Sequence, residues 1–483
     1  PCPVRVPSVS RPCKVRVKTM FTLDYQDGTL LLSQSDAAAE LPAELASYCR
    51  YDDRVGCWRA EAFRYADLIT YLFQNKIPYQ DNARAYQELT LEFYEQRKPR
   101  PYQQEALQAW LKARRRGIVV LPTGTGKSFL ALLAILRAAR STLVVVPTLD
   151  LMAQWASQLE RAFRRPVGLL GGGSRDVQEL CVSTYDSAVL QMEYIGNRFG
   201  LLIVDECHHL PGETYQQLAR LCLAPYRLGL TATPDSTNQE DSVLPSLLGD
   251  ICYRIEIDEL EGKALAPYQA VTLPIELDDD EFEEYQKNRE VYLNFLHRNR
   301  LRLDSKQGWG LFLRTCARMP DGRAAFEACL KQRRIARGGR GKIRKIWELL
   351  QQNRGDRILI FTADNATAYQ IGETFFLPVL THHSKITERR QMLDAFRDGS
   401  YPVLVTSRVL NEGVDVPEAN VGIVVSGSGS IREHVQRLGR ILRPAPGKTA
   451  ILYELVSSGT SERYVSERRR QHRAYERPDT MPT

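Results

Sequence analysis

The stretch "GIVVLPTGTGKSFLALLAIL" (117–136) constrains this chain more than any other part of it. A β-branched run suited to a buried strand passes into a glycine-rich turn, and Lys-Ser then opens an apolar helical pattern. Glycines at 124 and 126 let successive backbone N–H groups curl around an anion, and the helix start adds its positive end. The order strand, turn, Lys-Ser, helix predicts a phosphate cradle built from Thr123, Gly124, Thr125, Gly126, Lys127 and Ser128. In such a cradle Lys127 reaches the β- and γ-phosphates of ATP, and Ser128 offers its hydroxyl to Mg²⁺. One position departs from the strict pattern: Leu121 stands where a glycine is usual.

A phosphate cradle of this kind needs a second strand that ends in an acid. "LLIVDECHHLP" (201–211) supplies one, with Asp205 expected to hold Mg²⁺ and Glu206 to act as base or to orient the attacking water. Cys207, His208 and His209 do not make a zinc site, because neighbouring side chains leaving a strand diverge and no second ligand pair with metal spacing lies nearby. Further short apolar runs, at 142–147, 180–185 and 227–233 and again at 357–362, 401–407, 420–426 and 450–456, alternate with amphipathic helical patterns. The fold class expected is α/β, as two doubly wound domains in tandem.

The 483 residues exceed what one compact core can hold, and no apolar run approaches the ~18 residues that cross a bilayer. Ten cysteines, none in a C-x-x-C pair, read as scattered reduced thiols rather than a disulfide framework. Residues 1–19 carry five basic residues and no acid, and read as a disordered or upstream tail ahead of Met20. The net charge of +7 is unevenly placed. Residues 276–290 hold eight acids against two bases, whereas 297–345 hold fifteen Lys/Arg against three acids, which points the second stretch at a polyanion. Trp309 and Phe312 in that stretch are candidates to stack on or wedge a base, or to pack the insertion on itself.

With these residues in place the chain resembles the superfamily 2 helicases over roughly 97–460, which carry two tandem RecA-like P-loop domains. "RPYQQEA" (100–106) resembles the adenine-reading motif, implying nucleotide contacts from Arg100, Tyr102 and Gln103. "VVPTLDLMAQW" and "VSTYDSA" resemble strand-contacting motifs, implying roles for Pro147, Thr148, Ser183 and Thr184. "DECHH" and "LTATP" imply that His208, Thr231 and Thr233 couple the ATP site to nucleic acid. In the second domain "VLVTSRVLNEGVDVPEAN" implies Thr406 as a nucleic-acid contact, and Gly413 and Asp415 at the nucleotide. "QRLGRILRP" implies Gln436, Arg440 and Arg443 at the transferred phosphate; the two arginines lie one helical turn apart.

Within the superfamily, "DECHHLP", "APYRLGLTAT" and "LYELVSSGT" are most similar to the xeroderma pigmentosum group B helicase family, particularly its short archaeal and bacterial members. The resemblance implies residues 20–90 as a small N-terminal α+β damage-recognition module, 91–255 as the first RecA-like domain, 256–340 as linker and a basic helical thumb-like insertion, 341–470 as the second RecA-like domain, and 471–483 as a tail. Arg333 and Arg334 would then grip DNA. The family's Arg-Glu-Asp loop falls here on Ser236-Thr237-Asn238, without an arginine. ATP and Mg²⁺ are the implied cofactors, and DNA (duplex, forked or single-stranded) the implied partner, with a partner nuclease as a further candidate and neither membrane nor structural zinc. A prokaryotic source implies a cytoplasmic, nucleoid-associated place. The residues alone leave open an ATP-dependent DNA helicase acting in repair, a duplex translocase that never separates strands, an RNA helicase, and a non-motor ATP-dependent binding module.

Overall fold

The computed structural model of the chain describes residues 20–35, 41–232, 243–255, 259, 268–303, 308–407, 419–426 and 450–462. Gly413, Asp415, Gln436, Arg440, Arg443, Thr233 and the loop triplet 236–238 lie outside the described residues.

The N-terminal module is a five-stranded sheet in the order β3-β4-β2-β1-β5: β1 (Phe21–Gln26), β2 (Thr29–Gln34), β3 (Cys49–Asp52), β4 (Cys57–Glu61) and β5 (Tyr79–Asp81). Asp27-Gly28 joins β1 to β2 with both residues at positive φ (49° and 75°), the backbone a two-residue hairpin turn requires. Helix Tyr65–Gln74 buries Leu68 and Leu72 against Leu23, Leu30 and Leu32 of the sheet. The module is docked on the next domain. The Tyr25 hydroxyl lies 3.0 Å from the carbonyls of both Met192 and Leu221, Arg220 pairs with Glu61 at 2.8 Å, and Asn197 Nδ2 donates to Ala83 O at 2.9 Å.

The next domain is built on an eight-stranded sheet, order β13-β6-β12-β11-β7-β10-β8-β9. Its strands are β6 (Arg116–Val120), β7 (Thr142–Val146), β8 (Val167–Gly171), β9 (Ser174–Arg175), β10 (Leu180–Thr184), β11 (Leu201–Asp205), β12 (Tyr226–Thr231) and β13 (Ile251–Arg254). All neighbours pair in parallel except β8 with β9. Every residue of β7, β10 and β11 is buried, as a parallel sheet covered on both faces demands. β12 lies between β6 and β11, so the ends of these three strands share one edge.

A second, six-stranded sheet is parallel throughout, in the order β14-β19-β18-β15-β17-β16. It comprises β14 (Tyr268–Ile275), β15 (Ile358–Phe361), β16 (Val379–Leu380), β17 (Val403–Thr406), β18 (Val421–Val424) and β19 (Ala450–Ser457). This corrects the expected boundary at 341: β14 pairs with β19 along eight residues, so the chain enters the second sheet before the basic stretch, not after it. The helical insertion is therefore a long excursion between β14 and β15.

That insertion consists of helices Asp279–Arg298, Gly308–Arg318 and Gly322–Gly338, packed around their own core of Tyr292, Phe295, Leu296, Phe312, Ala325, Ala328 and Cys329. Phe312 is fully buried, with its ring 5.6 Å from that of Tyr292, so it is not available to wedge a base. The charge pattern also needs correction. The acidic run lies against the basic run: Asp278 pairs with Arg340 at 3.0 Å and Arg344 at 2.5 Å, Glu281 with Arg340 at 3.6 Å, and Glu284 with Lys331. Arg298, Arg323, Arg337, Lys342 and Lys345 also have carboxylate partners. Much of the surplus is thus neutralised inside the fold. Among the described residues, Arg300, Arg302, Arg314, Arg318, Arg333 and Arg334 have no carboxylate partner.

Candidate nucleotide site

The glycine-rich turn leaves β6 and enters helix Lys127–Ala138 through Gly126 at φ 84°, with Gly124 also at 84°. That left-handed backbone is cheap for glycine and costly for other residues. No side chain caps this helix, so its first N–H groups are left for a ligand. The loop is braced from behind. Gln103 Nε2 donates to Thr125 O at 2.9 Å, the Tyr102 hydroxyl donates to the same carbonyl at 2.6 Å, and Thr125 Oγ1 donates to Pro122 O at 2.6 Å.

This bracing bears on the expectation that Gln103 reads adenine. Its side chain is 4% exposed, and its Oε1 accepts from the Arg100 backbone N–H at 2.9 Å while its Nε2 is spent on the loop. Both ends of the amide are engaged with protein, and a Cβ at Gly126 would lie 2.7 Å from Nε2. The role this geometry gives Gln103 is to hold the cradle's shape. Arg100, exposed at the start of helix Pro101–Lys112, and Tyr102 sit beside it, 3.3 Å apart.

Lys127 Nζ approaches Glu206 Oε1 to 4.0 Å and donates to Leu121 O at 3.3 Å. Asp205 ends β11 and is buried; its Oδ2 accepts from Trp155 Nε1 at 2.9 Å and its Oδ1 from the Glu206 N–H at 3.0 Å. Burial, then the neighbouring Glu206 carboxylate, push the Asp205 pKa up to about 6, against the pull of Lys127 and the Trp155 hydrogen bond. Glu206 turns the chain with φ 49°, a strained conformation for a side-chain-bearing residue. The Tyr185 hydroxyl lies 2.9 Å from Asp205 O and 3.2 Å from Glu206 O and holds that turn.

His208 is buried and its Nδ1 lies 3.0 Å from Thr231 Oγ1 at the end of β12 and 3.5 Å from Glu206 Oε2. The strand order explains this: β12 sits between the strand of the cradle and the strand of the acids. Burial, and then the Glu206 and Asp205 carboxylates, push the Cys207 thiol well up, so it stays protonated in the fold. Among the described residues no cluster of three or more His, Cys, Asp or Glu is placed to hold a metal ion.

The structure thus brings Lys127, Asp205, Glu206, His208 and Thr231 to one sheet edge, beside Thr123 to Ser128. Other expected contacts fall elsewhere. Ser183 is fully buried and its Oγ lies 2.9 Å from Thr184 O, and Thr406 is fully buried and donates to Ser407 O at 3.1 Å, so neither hydroxyl faces a strand of nucleic acid. Thr148 and Thr184 cap helices Leu149–Phe163 and Tyr185–Ile195, each accepting a backbone N–H at 3.3 Å, while Pro147 precedes the first cap at the end of β7. Arg333 lies over the Trp309 ring at 4.7 Å, and Arg334 is exposed beside it in sequence. Trp155 and Tyr185 were missed. Each stands in an apolar helical pattern that reads as core, and nothing local marks the polar atom at its tip.

Three family profiles match the chain: "Xeroderma pigmentosum group B helicase damage recognition domain" at 23–83, "Type III restriction enzyme, res subunit" at 96–236, and "ERCC3/RAD25/XPB C-terminal helicase" at 346–474. The chain is 39% identical over 422 residues to the "DNA 3'-5' translocase XPB2" of Sulfurisphaera tokodaii, covering 87% of this chain and 95% of that one. It is 28% identical over 369 residues to the "DNA 3'-5' helicase XPB" of Mycobacterium tuberculosis, covering 73% of this chain and 60% of that longer relative. The fold is shared with the crystal structure of the Pyrococcus furiosus Hef helicase domain, at a TM-score of 0.52 and 20% identity over 76% of this chain and 98% of that one. On its similarity along most of its length to the archaeal relative, and on both group-B-specific profiles, this chain belongs to the xeroderma pigmentosum group B helicase family.

Proposed function

We propose that the chain is an ATP-driven motor that moves along DNA and opens it in DNA repair. The observation that carries this reading is the convergence of Lys127, which opens the helix after β6, with Asp205 and Glu206 at the end of β11, beside an uncapped helix start. Lys127 offsets the charge of the β- and γ-phosphates, and the open N–H groups of its helix receive them. Glu206 orients the attacking water and takes its proton; its buried Oε2 has no hydrogen-bond partner among the described residues. Arg440 and Arg443 of the motif "QRLGRILRP" are assigned to neutralise the transferred phosphate, and Gln436, Gly413 and Asp415 to the nucleotide, on the family resemblance of their sequence motifs.

The donor set fits Mg²⁺: Asp205 and Ser128 are hard oxygen ligands, and a carboxylate pushed up by burial and then by the Glu206 charge is one that a cation would relieve. Asp205 and Ser128 would hold the ion, which would supply positive charge against the phosphates. His208 and Thr231 carry the state of the ATP site toward DNA through the 3.0 Å contact between them. DNA lies across the two sheets and the exposed arginines of the insertion, with Trp309 (37% exposed) as the side chain there able to stack on a base.

A duplex translocase that does not separate strands is the second reading, favoured by the absence of arginine from "PDSTNQEDSVLP" (234–245). ATP turnover and strand separation measured side by side on single-stranded, duplex and forked DNA decide between the two. Turnover stimulated by duplex without strand separation on any substrate selects translocation; turnover indifferent to DNA removes the motor altogether.

A further inference from the structure

A groove of about 410 Å³ lies between the N-terminal module and the first α/β domain. Arg84, Arg114, Arg116 and Arg140 line it, against the carboxylates of Asp67 and Asp81. Arg116 opens β6 and Tyr226 opens β12, so the groove is at the strand starts, the edge opposite the phosphate cradle. The five residues of β6 separate the two by roughly 15 Å.

The arginines reach carboxylates only at long range within the fold, although Arg84 also hydrogen-bonds Tyr86, which raises its pKa. Arg116 reaches Asp67 only at 3.5 Å, Arg84 reaches Asp81 at 3.6 Å, and Arg140 reaches Glu88, itself 79% exposed, at 3.7 Å. Asp81 is already engaged by the Tyr65 hydroxyl at 2.6 Å and the Ala83 N–H at 3.1 Å. Arg114 has no ion pair among the described residues. Arg116 and Arg140 are nonetheless largely buried, each with 18% of its side chain exposed. Burial, more than any neighbouring charge, pulls the Arg116 pKa down, as expected for a guanidinium short of a counter-charge. The turn delivering these arginines is itself strained: Arg114 and Arg115 are consecutive non-glycine residues at φ 55° and 59°. Arg140 is fixed between two aromatic rings, 4.2 Å from the Tyr226 centroid and 5.1 Å from that of Tyr86. The groove is therefore cation-rich, with two of its four arginines largely buried, and its volume suits a ligand of nucleotide size.

We propose that this groove binds a small phosphate-bearing anion of the pyrophosphate or nucleotide class, at a site separate from the cradle. The ligand would join Arg84 of the N-terminal module to Arg114, Arg116 and Arg140 of the α/β domain and so tighten the docking of one on the other.

The test uses the full chain carrying Lys127→Ala, which removes the cradle's cation, titrated calorimetrically with inorganic pyrophosphate without Mg²⁺ and separately with ADP. Saturable one-to-one pyrophosphate binding is expected, weakened at least tenfold when Arg84→Gln and Arg114→Gln, both exposed positions, are added. ADP binding that the same two changes weaken identifies the nucleotide as the ligand form; pyrophosphate binding alone identifies the inorganic anion. Absence of saturable binding, or binding unchanged by the two glutamines, overturns the site. A thymidine oligonucleotide that displaces pyrophosphate, and whose own binding the two glutamines weaken, also overturns it and makes the groove a nucleic-acid surface instead.

Discussion

The two α/β sheets each send a strand into a turn and a helix, but the two turns leave their helix starts in opposite states. After β6 the chain runs through Gly124 and Gly126, and no side chain caps helix Lys127–Ala138. After β15 the turn is "TADN", and Asp364 caps helix Asn365–Phe375 by accepting from the Thr367 N–H at 2.9 Å and the Thr367 hydroxyl at 3.0 Å. The second helix start has its negative charge built in; the first awaits one from a ligand. One architecture therefore gives one phosphate cradle, and the difference lies in three or four turn residues rather than in the sheet.

The comparison breaks most severely at Lys127. Lys127→Ala should lower DNA-stimulated ATP turnover at least a hundredfold, since a charge aimed at the transferred phosphate contributes that much or more. Retention of a tenth of wild-type turnover would falsify the cradle assignment. Glu206→Gln should reduce turnover comparably while nucleotide binding persists, because the amide keeps the shape but cannot take the proton. Unchanged turnover in that variant moves the base elsewhere.

Trp155→Phe should act more mildly. It removes the 2.9 Å hydrogen bond to Asp205 and little volume, so the Mg²⁺ concentration for half-maximal turnover should rise about tenfold to a hundredfold. A changed kcat at saturating Mg²⁺ with no shift in that concentration would instead make Trp155 a packing residue.

Asp205→Asn tests the charge stored at this edge. An acid with a raised folded pKa costs stability once ionised, and the cost grows as pH rises from the unfolded value of about 4 to the folded value of about 6. Above that range the penalty is complete, on the order of 2 to 3 kcal/mol. The amide oxygen can still accept from Trp155, so the variant, without nucleotide or Mg²⁺, should melt a few degrees higher at pH 8, keep about half of that advantage at pH 5 and lose it below about pH 4. Equal melting temperatures at pH 8 would mean that Asp205 carries no such penalty.

The contrast between the two turns was legible in one direction only. Glycines with Lys-Ser after a β-branched run specify a cradle locally, and Asp205-Glu206 at a strand end specify its partner, because parallel strands bring their ends to one edge. The pairing of His208 with Thr231 depended on strand order, which lies 23 residues away in sequence and in no local pattern. β14 was missed because "YQAVTLPI" carries a proline and stands next to the acidic run, and a proline is tolerated at a sheet edge. The basic stretch misled for a related reason: charge counted along a chain does not show which carboxylates fold back onto it, as Asp278 does onto Arg340 and Arg344.

The smallest effect belongs to the second turn. Asp364→Ala removes an N-cap, and loss of such a cap costs about 1 kcal/mol of stability. Arg337, 3.4 Å from Asp364, would lose its carboxylate as well, but both side chains are about a third exposed, so solvent limits that contribution. Opening this helix start does not create a second cradle: the turn has no glycine able to take a positive φ, and no lysine follows it. ATP affinity should therefore be unchanged and Lys127→Ala should be just as inactive in this background, while the melting temperature falls slightly. If Asp364→Ala instead yielded a second, Lys127-independent nucleotide-binding event, the uncapped helix start alone would be sufficient for phosphate, and the glycines and lysine of the first turn would need another explanation.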